Sequence, residues 1–413
     1  MQRAAQALLS ERRQVGQMQP KADAYFAFRY RVAMCQRGKI GEAGIELYGS
    51  EDGVQGEYRN LQTCGSVWHC PICAPKIAQR RCEEMDLALT RHVSDPARAG
   101  AVFFLSFTMQ HDRATAGAGY LEEQLATLRG ALKAKGNEAW RAVLSRCGSI
   151  GSIRALEVTY GELNGWHSHA HELRFAERGA MVLDREHRPV RWLSPMYRLR
   201  TLWARELVKR GSAGLRASDT PLDRRAKLRA LLDRCLTIQD GSYASSYVAE
   251  FGRSPENSWS LSAELALSHL KTARRSGHCD PWGLLADFAE GDARSGELFQ
   301  EYGRAFHGVT QLYWSRGLKA HFGVEELQDA ALAAVADKKC TRFLARVSDE
   351  EWSLVLRYNA RFELLRAAVI YGPFGAAAYI AELRDAQKSG SPPRFSGVFT
   401  ASPDHVLRLR EAA

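Results

Sequence analysis

The stretch Asn164-Gly165-Trp166-His167-Ser168-His169-Ala170-His171-Glu172-Leu173 carries three histidines within five residues. Alternate side chains of a β-strand point to the same face of a sheet. If this stretch forms a strand, the imidazoles of His167, His169 and His171 therefore lie side by side on one face. Imidazole is a common ligand of divalent metal ions, so the pattern predicts a metal site.

The residues before this stretch predict its pairing partner. Residues 153–160 also alternate in polarity, and the loop between the two segments ends in Asn-Gly, which is a hairpin signal. If Tyr160 pairs with Trp166, Glu157 lies opposite His169 and joins the histidine face. The other face should belong to the core, because its side chains are mostly apolar: Leu156, Val158, Tyr160, Trp166 and Ala170.

A carboxylate and three imidazoles on one sheet face favour a metal or catalytic role, because polar groups gathered there need partners. We predict that His169 and His171 are ligands of a divalent ion, with His167 and Glu157 as further ligands. The alternative is that the three histidines form only a polar surface.

The cysteines predict a second metal site. Cys70 and Cys73 form a Cys-x2-Cys pair, Cys64 lies six residues before it, and Cys35 lies further upstream. Four thiolates suit a tetrahedral structural zinc ion, and the two-residue spacer lets both sulfurs reach one ion from a tight turn. The nine cysteines of the chain are an odd number, which argues against a disulfide scaffold. Two alternatives are that His69 replaces one thiolate, or that some cysteines are simply buried thiols.

Length and composition limit the classes of protein to consider. The 413 residues can form two or three domains, and the net charge of +10 suits a polyanionic partner. We expect no membrane span, because no run of 18 apolar residues occurs. The first residues lack the pattern of a signal peptide, so we expect a cytoplasmic protein.

Local patterns predict an α+β fold in which helices flank a central antiparallel sheet. We expect three consecutive segments: an N-terminal zinc-binding region (1–98), a central catalytic domain (99–255) and a mostly helical C-terminal region (256–413). The strands expected besides the hairpin are 102–109 and 237–241. The helices expected are 76–92, 119–146 and an arginine-rich pair within 197–236.

Tyr243, Tyr247 and Phe251 are spaced by four residues, which places them on one side of a helix. Such a stripe usually packs in a core. Downstream of a histidine metal motif, however, a phenol is also a candidate nucleophile.

Taken together, the motifs resemble those of the rolling-circle replication initiators of bacterial plasmids, within the HUH endonuclease superfamily. The likeness extends from about residue 35 to residue 318. It is carried by the zinc motif at 64–73, the strand at 104–108, the metal motif at 164–171, the tyrosine motif at 247–250 and two short motifs at 264–271 and 313–318.

The resemblance implies an HUH nuclease fold and an enzyme that nicks and rejoins DNA. A tyrosine attacks a phosphodiester of single-stranded DNA and keeps the 5′-phosphate, with Mg²⁺ or Mn²⁺ at the histidines. Tyr247 is the preferred nucleophile and Tyr243 the second. The family's lysine, three residues after the tyrosine, is replaced here by Glu250, which we expect to activate the water that ends the reaction.

The resemblance also implies partners: the single-stranded origin, its flanking duplex and a host helicase, since no Gly-x4-Gly-Lys-Ser/Thr phosphate loop is present. Two alternatives remain open. One is a transposase or relaxase of the same superfamily. The other is a zinc-dependent DNA-binding regulator without enzymatic activity.

Overall fold

The computed structural model describes residues 1–11, 29–94, 101–110, 120–177, 197–240, 278–390 and 393. The helices of these residues are α1 (Gln2–Leu8), α2 (Cys73–Ser94), α3 (Tyr120–Lys133), α4 (Glu138–Arg146), α5 (Tyr197–Lys209), α6 (Pro221–Arg234), α7 (Pro281–Ala289), α8 (Ala293–Ala305), α9 (Leu318–His321), α10 (Asp329–Ala334), α11 (Asp349–Arg357) and α12 (Arg361–Ser389). The strands are β1 (Ile45–Gly49), β2 (Gly56–Arg59), β3 (Ala101–Phe107), β4 (Ser149–Gly161), β5 (Gly165–Ala176), β6 (Leu236–Asp240), β7 (His278–Cys279), β8 (Leu312–Trp314) and β9 (Arg342–Val347).

The chain divides into two compact units. The first is formed mainly by Pro75–Leu327, and the second mainly by Ala4–Ala74 together with Gln328–Ala413. The two units differ from the three consecutive segments suggested by the sequence. The second unit contains both the cysteine region and the helices after residue 328. The predicted mixture of antiparallel sheets and helices is confirmed.

The first unit is built on one antiparallel sheet in the order β6-β3-β5-β4-β7, with β8 also pairing with β4. Strands β4 and β5 form a long hairpin whose turn ends at Gly165. The φ angle of Gly165 is 73°, a conformation that glycine adopts without strain. Tyr160 pairs with Trp166, and Glu157 pairs with His169. The predicted register of the hairpin is therefore confirmed.

Both faces of this sheet pack against other elements. On the histidine side, Phe104 and Leu173 join a cluster with Met85 of α2 and Phe322, which follows α9. On the opposite side, Phe107 of β3 contacts Trp140 and Trp203, with ring centroids 6.4 and 5.0 Å apart. The predicted core residues Leu156, Val158, Trp166 and Ala170 are buried on that side.

The helix predicted over residues 119–146 is in fact two helices, α3 and α4. They are separated by a 3-10 turn at Ala134–Gly136 and by Asn137, which has an extended backbone and immediately precedes α4. Glycine and asparagine are poor residues for a helix interior, which explains the break.

The second unit contains a three-stranded antiparallel sheet in the order β2-β1-β9. Ile45 of β1 pairs with Val347 of β9, although these residues lie far apart in the chain. Helices α11 and α12 cover one side of this sheet. The core between them includes Leu47, Leu344, Val355, Leu364 and Leu383.

Helix α12 changes direction at Gly372, where φ is 65° and ψ is −153°, just before Pro373. It is the one helix among the described residues that is long and apolar enough to cross a membrane, judged by length and composition. Half of its most apolar window is nevertheless buried within the protein. Core helices of soluble proteins have this same character.

Candidate metal centres

Strands β4 and β5 bring Glu157, His169 and His171 together on one sheet face. Their ligand atoms lie within 4.8 Å of one another. The exposed fractions of the three side chains are 8%, 12% and 10%, so the group is largely shielded from water. It is built by the register of the hairpin, because Glu157 pairs with His169 while His171 follows two residues later on the same face.

The geometry of this group fits a bound cation. Oε2 of Glu157 lies 3.3 Å from Nε2 of His169 and 3.2 Å from Nε2 of His171. Despite these short distances, Oε2 has no hydrogen-bond partner among the described residues. A buried carboxylate oxygen without a hydrogen-bond donor is costly, and a cation held by the three atoms would compensate it. Two imidazole nitrogens and one carboxylate oxygen are suitable ligands for a divalent ion.

The ionisation of Glu157 agrees with a ligand role. Burial by itself raises the pKa of this carboxyl group, but the adjacent imidazoles of His169 and His171 outweigh that effect. Their contacts hold the pKa of Glu157 well below its ordinary value. The side chain is therefore a carboxylate at neutral pH, the form that binds a metal ion.

Two residues of β3 contact His171. Oγ of Ser106 lies 2.8 Å from Nδ1 of His171, and the ring of Phe104 stacks on the imidazole with centroids 5.1 Å apart. Sequence reasoning identified residues 102–109 as a strand but did not connect Ser106 with the histidines. The only signal was its position two residues after Phe104 in an otherwise apolar strand.

His167 lies next to the group of Glu157, His169 and His171 but outside it. Its ring stacks on that of His169, with centroids 4.8 Å apart, and it pairs with Thr159 across the hairpin. Glu157, His169 and His171 form the group without it. The structure thus brings together three of the four predicted ligands, and a ligand role for His167 stays a prediction.

Tyr243, Tyr247 and Glu250 lie outside the described residues. The described residues nearest to them are Asp240, the last residue of β6, and His278, the first residue of β7. Strand β6 pairs with β3, the strand that carries Ser106. The position of the predicted nucleophile relative to the histidines stays a prediction.

Cys35, Cys64, Cys70 and Cys73 form the second group. Sγ of Cys73 lies 3.6 Å from Sγ of Cys35 and from Sγ of Cys64, and the same distance separates the sulfurs of Cys70 and Cys35. Zinc–sulfur bonds of about 2.3 Å in a tetrahedron place the sulfurs roughly 3.8 Å apart. Disulfide-bonded sulfurs would lie only about 2.0 Å apart. The four thiols are therefore arranged for a metal ion and not for disulfides.

The environment of the cysteine group also favours a cation. All four side chains are buried, and burial raises the pKa of the Cys70 thiol. A thiolate at Cys70 therefore needs a compensating positive charge. His69 lies outside the group, and its Nδ1 is 2.9 Å from Oγ of Ser66. The arrangement thus supports four cysteine ligands over the alternative with His69.

Sequence comparisons relate most of the chain to one protein. It is similar to Protein rep of Streptomyces lividans, with 28% identity over 364 aligned residues that cover 75% of this chain and 75% of the relative. A shorter match of 136 residues is 32% identical to the neomycin resistance protein of Streptomyces cyanogenus and covers 27% of this chain and 30% of that protein. No protein-family model matches the chain, and no solved structure gives a significant match. The chain is thus similar over three quarters of its length to a Rep protein, which supports the resemblance found in its motifs.

Proposed function

We propose that the protein is a plasmid rolling-circle replication initiator that nicks and rejoins one strand of DNA at a replication origin. The observation that carries this proposal is the convergence of Glu157 Oε2 with the Nε2 atoms of His169 and His171. The similarity to Protein rep supports the biological setting. The net charge of +10 suits a DNA partner, and the proposed location is the cytoplasm.

The proposed reaction uses residues of this chain in separate roles. His169, His171 and Glu157 would hold a divalent cation, either Mg²⁺ or Mn²⁺. When bound, this ion would withdraw negative charge from the scissile phosphate. Because two of the three donors are imidazoles, we expect Mn²⁺ to bind better than Mg²⁺.

The nucleophile would be the phenol oxygen of Tyr247, or of Tyr243 if the first assignment fails. It attacks phosphorus, the bond to the 3′-oxygen breaks, and the 5′-phosphate stays on the tyrosine. The released 3′-hydroxyl primes DNA synthesis. Since the bond energy is kept in the phosphotyrosine, the same site can rejoin the strand. Glu250 would accept a proton from the water that ends the reaction.

The cysteine group would hold a structural zinc ion. Four buried thiolates would leave a bound zinc ion no open position for a substrate, which is typical of structural zinc. Its role would be to stabilise the second unit and not to take part in strand cleavage. Unwinding of the duplex would depend on a host helicase.

Covalent trapping tests the proposal. The protein is incubated with Mn²⁺ and a single-stranded oligonucleotide from its own plasmid origin, and the adduct is located by mass spectrometry. We expect DNA on Tyr247, with loss of the adduct in Tyr247→Phe. DNA on Tyr243 would reassign the nucleophile. A folded protein that binds origin DNA without any adduct would favour the DNA-binding regulator instead.

A covalent adduct alone would not separate an initiator from a transposase or relaxase. In this chain the tyrosine motif follows the histidines, an order that favours replication initiators and their transposase relatives over relaxases. Replication of a reporter plasmid that carries the origin but lacks its own initiator separates the remaining two. Support of replication by this protein in trans is the expected result.

A further inference from the structure

We propose that Ser106 is a positioning residue that fixes which nitrogen of His171 faces the metal ion. The inference rests on the proposed metal role of the Glu157, His169 and His171 group and deepens it. Ser106 itself is not a ligand, because its hydroxyl contacts the far side of the imidazole ring.

The contact is built into the pairing of β3 with β5. Ser106 and His171 are direct partners in the antiparallel register, so their side chains lie on the same face. The 2.8 Å separation between Ser106 Oγ and His171 Nδ1 is a hydrogen-bond distance. Phe104, two residues earlier on the same face, stacks on the ring at an interplanar angle of 23°. The hydroxyl and the phenyl ring together restrict rotation of the imidazole.

The hydrogen bond has a consequence for the tautomer of His171. A neutral imidazole carries one N–H, and the nitrogen without it is the one that can bind a metal ion. Nε2 is the nitrogen that lies 3.2 Å from Oε2 of Glu157, so Nε2 must be the ligand atom. Nδ1 then carries the hydrogen and donates it to Ser106 Oγ. A serine hydroxyl accepts such a bond readily.

His169 provides a contrast within the same site. Its Nδ1 is buried and has no hydrogen-bond partner among the described residues. The ring of His169 instead packs between His167 and His171, each at a centroid distance of 4.8 Å. The two imidazoles are therefore not equivalent: His171 is held in a ligand-ready orientation before the ion binds, whereas His169 lacks such a bond. Replacing Ser106 by alanine would make the two alike.

Thr237 offers a matched control. It pairs with Ser106 from the other side, on β6, and its hydroxyl therefore belongs to the same sheet face. Thr237 is exposed, and β3 separates it from His171. Removal of this hydroxyl changes the polarity of the face without affecting the hydrogen bond to Nδ1.

Binding of Mn²⁺ to the full-length protein, followed by the electron paramagnetic resonance signal of the free ion, tests the proposal. We expect Ser106→Ala to raise the Kd about 10- to 100-fold, the range observed when outer hydrogen-bond partners of metal ligands are removed. Ser106→Thr, which keeps the hydroxyl, and Thr237→Ala should bind Mn²⁺ like the wild-type protein. Equal affinities of the wild type and Ser106→Ala would overturn the proposal.

The tautomer can be measured without relying on the stability of a variant. Nitrogen-15 spectra of the histidine-labelled wild-type protein, without metal, should show His171 protonated at Nδ1, with the signal assigned by its loss in His171→Gln. A His171 side chain that carries no hydrogen at Nδ1 would contradict the proposal. A wild-type protein that binds no Mn²⁺ would count against the metal role itself, while the tautomer would still show whether Ser106 orients His171.

Discussion

Arg361, the first residue of α12, donates a hydrogen bond from Nη1 to the backbone carbonyl oxygen of Cys35 over 3.2 Å. The same oxygen accepts a second hydrogen bond from Nε2 of Gln6 over 3.0 Å. Cys35 is one of the four clustered cysteines, and Arg361 is only 7% exposed. Within the second unit, the backbone of Cys35 thus connects α1 with α12.

Replacing Arg361 by methionine should destabilise the second unit by about 3 kcal/mol. The substitution removes donors from the carbonyl oxygens of Cys35 and Gln36 and from Oε1 of Gln6. Buried acceptors that lose a charged donor cost about 1–3 kcal/mol each, although partial relaxation reduces their sum. Hydrogen exchange of peptides from α12 measures the effect.

The control for this change is Arg357→Met, which alters an exposed arginine at the end of α11. Substitutions at such positions usually change stability by less than about 0.5 kcal/mol. If the amide hydrogens of α12 exchange at the same rate in the two variants, the hydrogen bonds of Arg361 do not hold α12 in place.

Removal of metal from the cysteine group should loosen the second unit specifically. Without the ion, the four buried cysteine side chains lose the positive charge that would hold their thiolates together. We expect one zinc ion per chain in the purified protein, and faster exchange in α1 and α12 after chelation. The β4–β5 hairpin should keep its protection. A purified protein with no stoichiometric zinc would refute the assignment.

Glu157→Gln should abolish strand cleavage while binding of origin DNA is retained. The amide has nearly the same size as the carboxylate but lacks its negative charge, so the site loses its one anionic ligand. His169→Ala should have the same result. Cleavage of a labelled oligonucleotide and its retention on the protein are measured in parallel.

His167→Gln is the informative comparison for that experiment. Since His167 lies outside the group of converging ligand atoms, its replacement should weaken Mn²⁺ binding less than His171→Gln does. Equal losses in the two variants would show that all three histidines bind the ion.

Helix α6 should contribute to DNA binding through its charge. It carries five basic and two acidic residues, and among its residues only Leu231 is buried. Arg225 and Arg229 lie one turn apart, are exposed and form no ion pair with the described residues. If both contact phosphates, their double replacement by alanine should reduce the slope of log K against log salt concentration by roughly 1.8 for duplex DNA.

The control replaces Arg294 and Arg304 of α8, which are also exposed; Arg294 pairs with Glu297 over 2.8 Å. Loss of two positive charges there should change the salt dependence far less. An unchanged slope in the α6 variant would exclude this helix from the DNA contact. At saturating DNA, the rate of cleavage should be the same in both variants.

The sequence was sufficient where neighbouring residues determine the geometry. Alternation on two segments and an Asn-Gly turn predict the hairpin register, and that register by itself places Glu157 with the histidines. Likewise, the Cys-x2-Cys spacing predicts the cysteine group, in which Cys35 and Cys64 also lie.

The sequence was insufficient where distant segments meet. Which residue of β3 lies opposite His171 depends on a register set by packing across the sheet, so Ser106 could not be assigned to the site. The same holds for the pairing of β1 with β9 and for the hydrogen bonds of Arg361. The position of His167 beside the group of converging ligand atoms depends on side-chain orientation, which an alternating pattern does not determine.

The pairing of Ile45 with Val347 has a consequence for synthesis of the protein. The second unit is divided in the chain, and the first unit is translated between its two parts. At about 5–20 residues per second, a ribosome needs roughly 13 to 51 s to pass from the last cysteine of the group to the beginning of the closing part. The six-stranded sheet can therefore fold on the nascent polypeptide before β9 has been synthesised. Until then, the sheet of the second unit contains only β1 and β2.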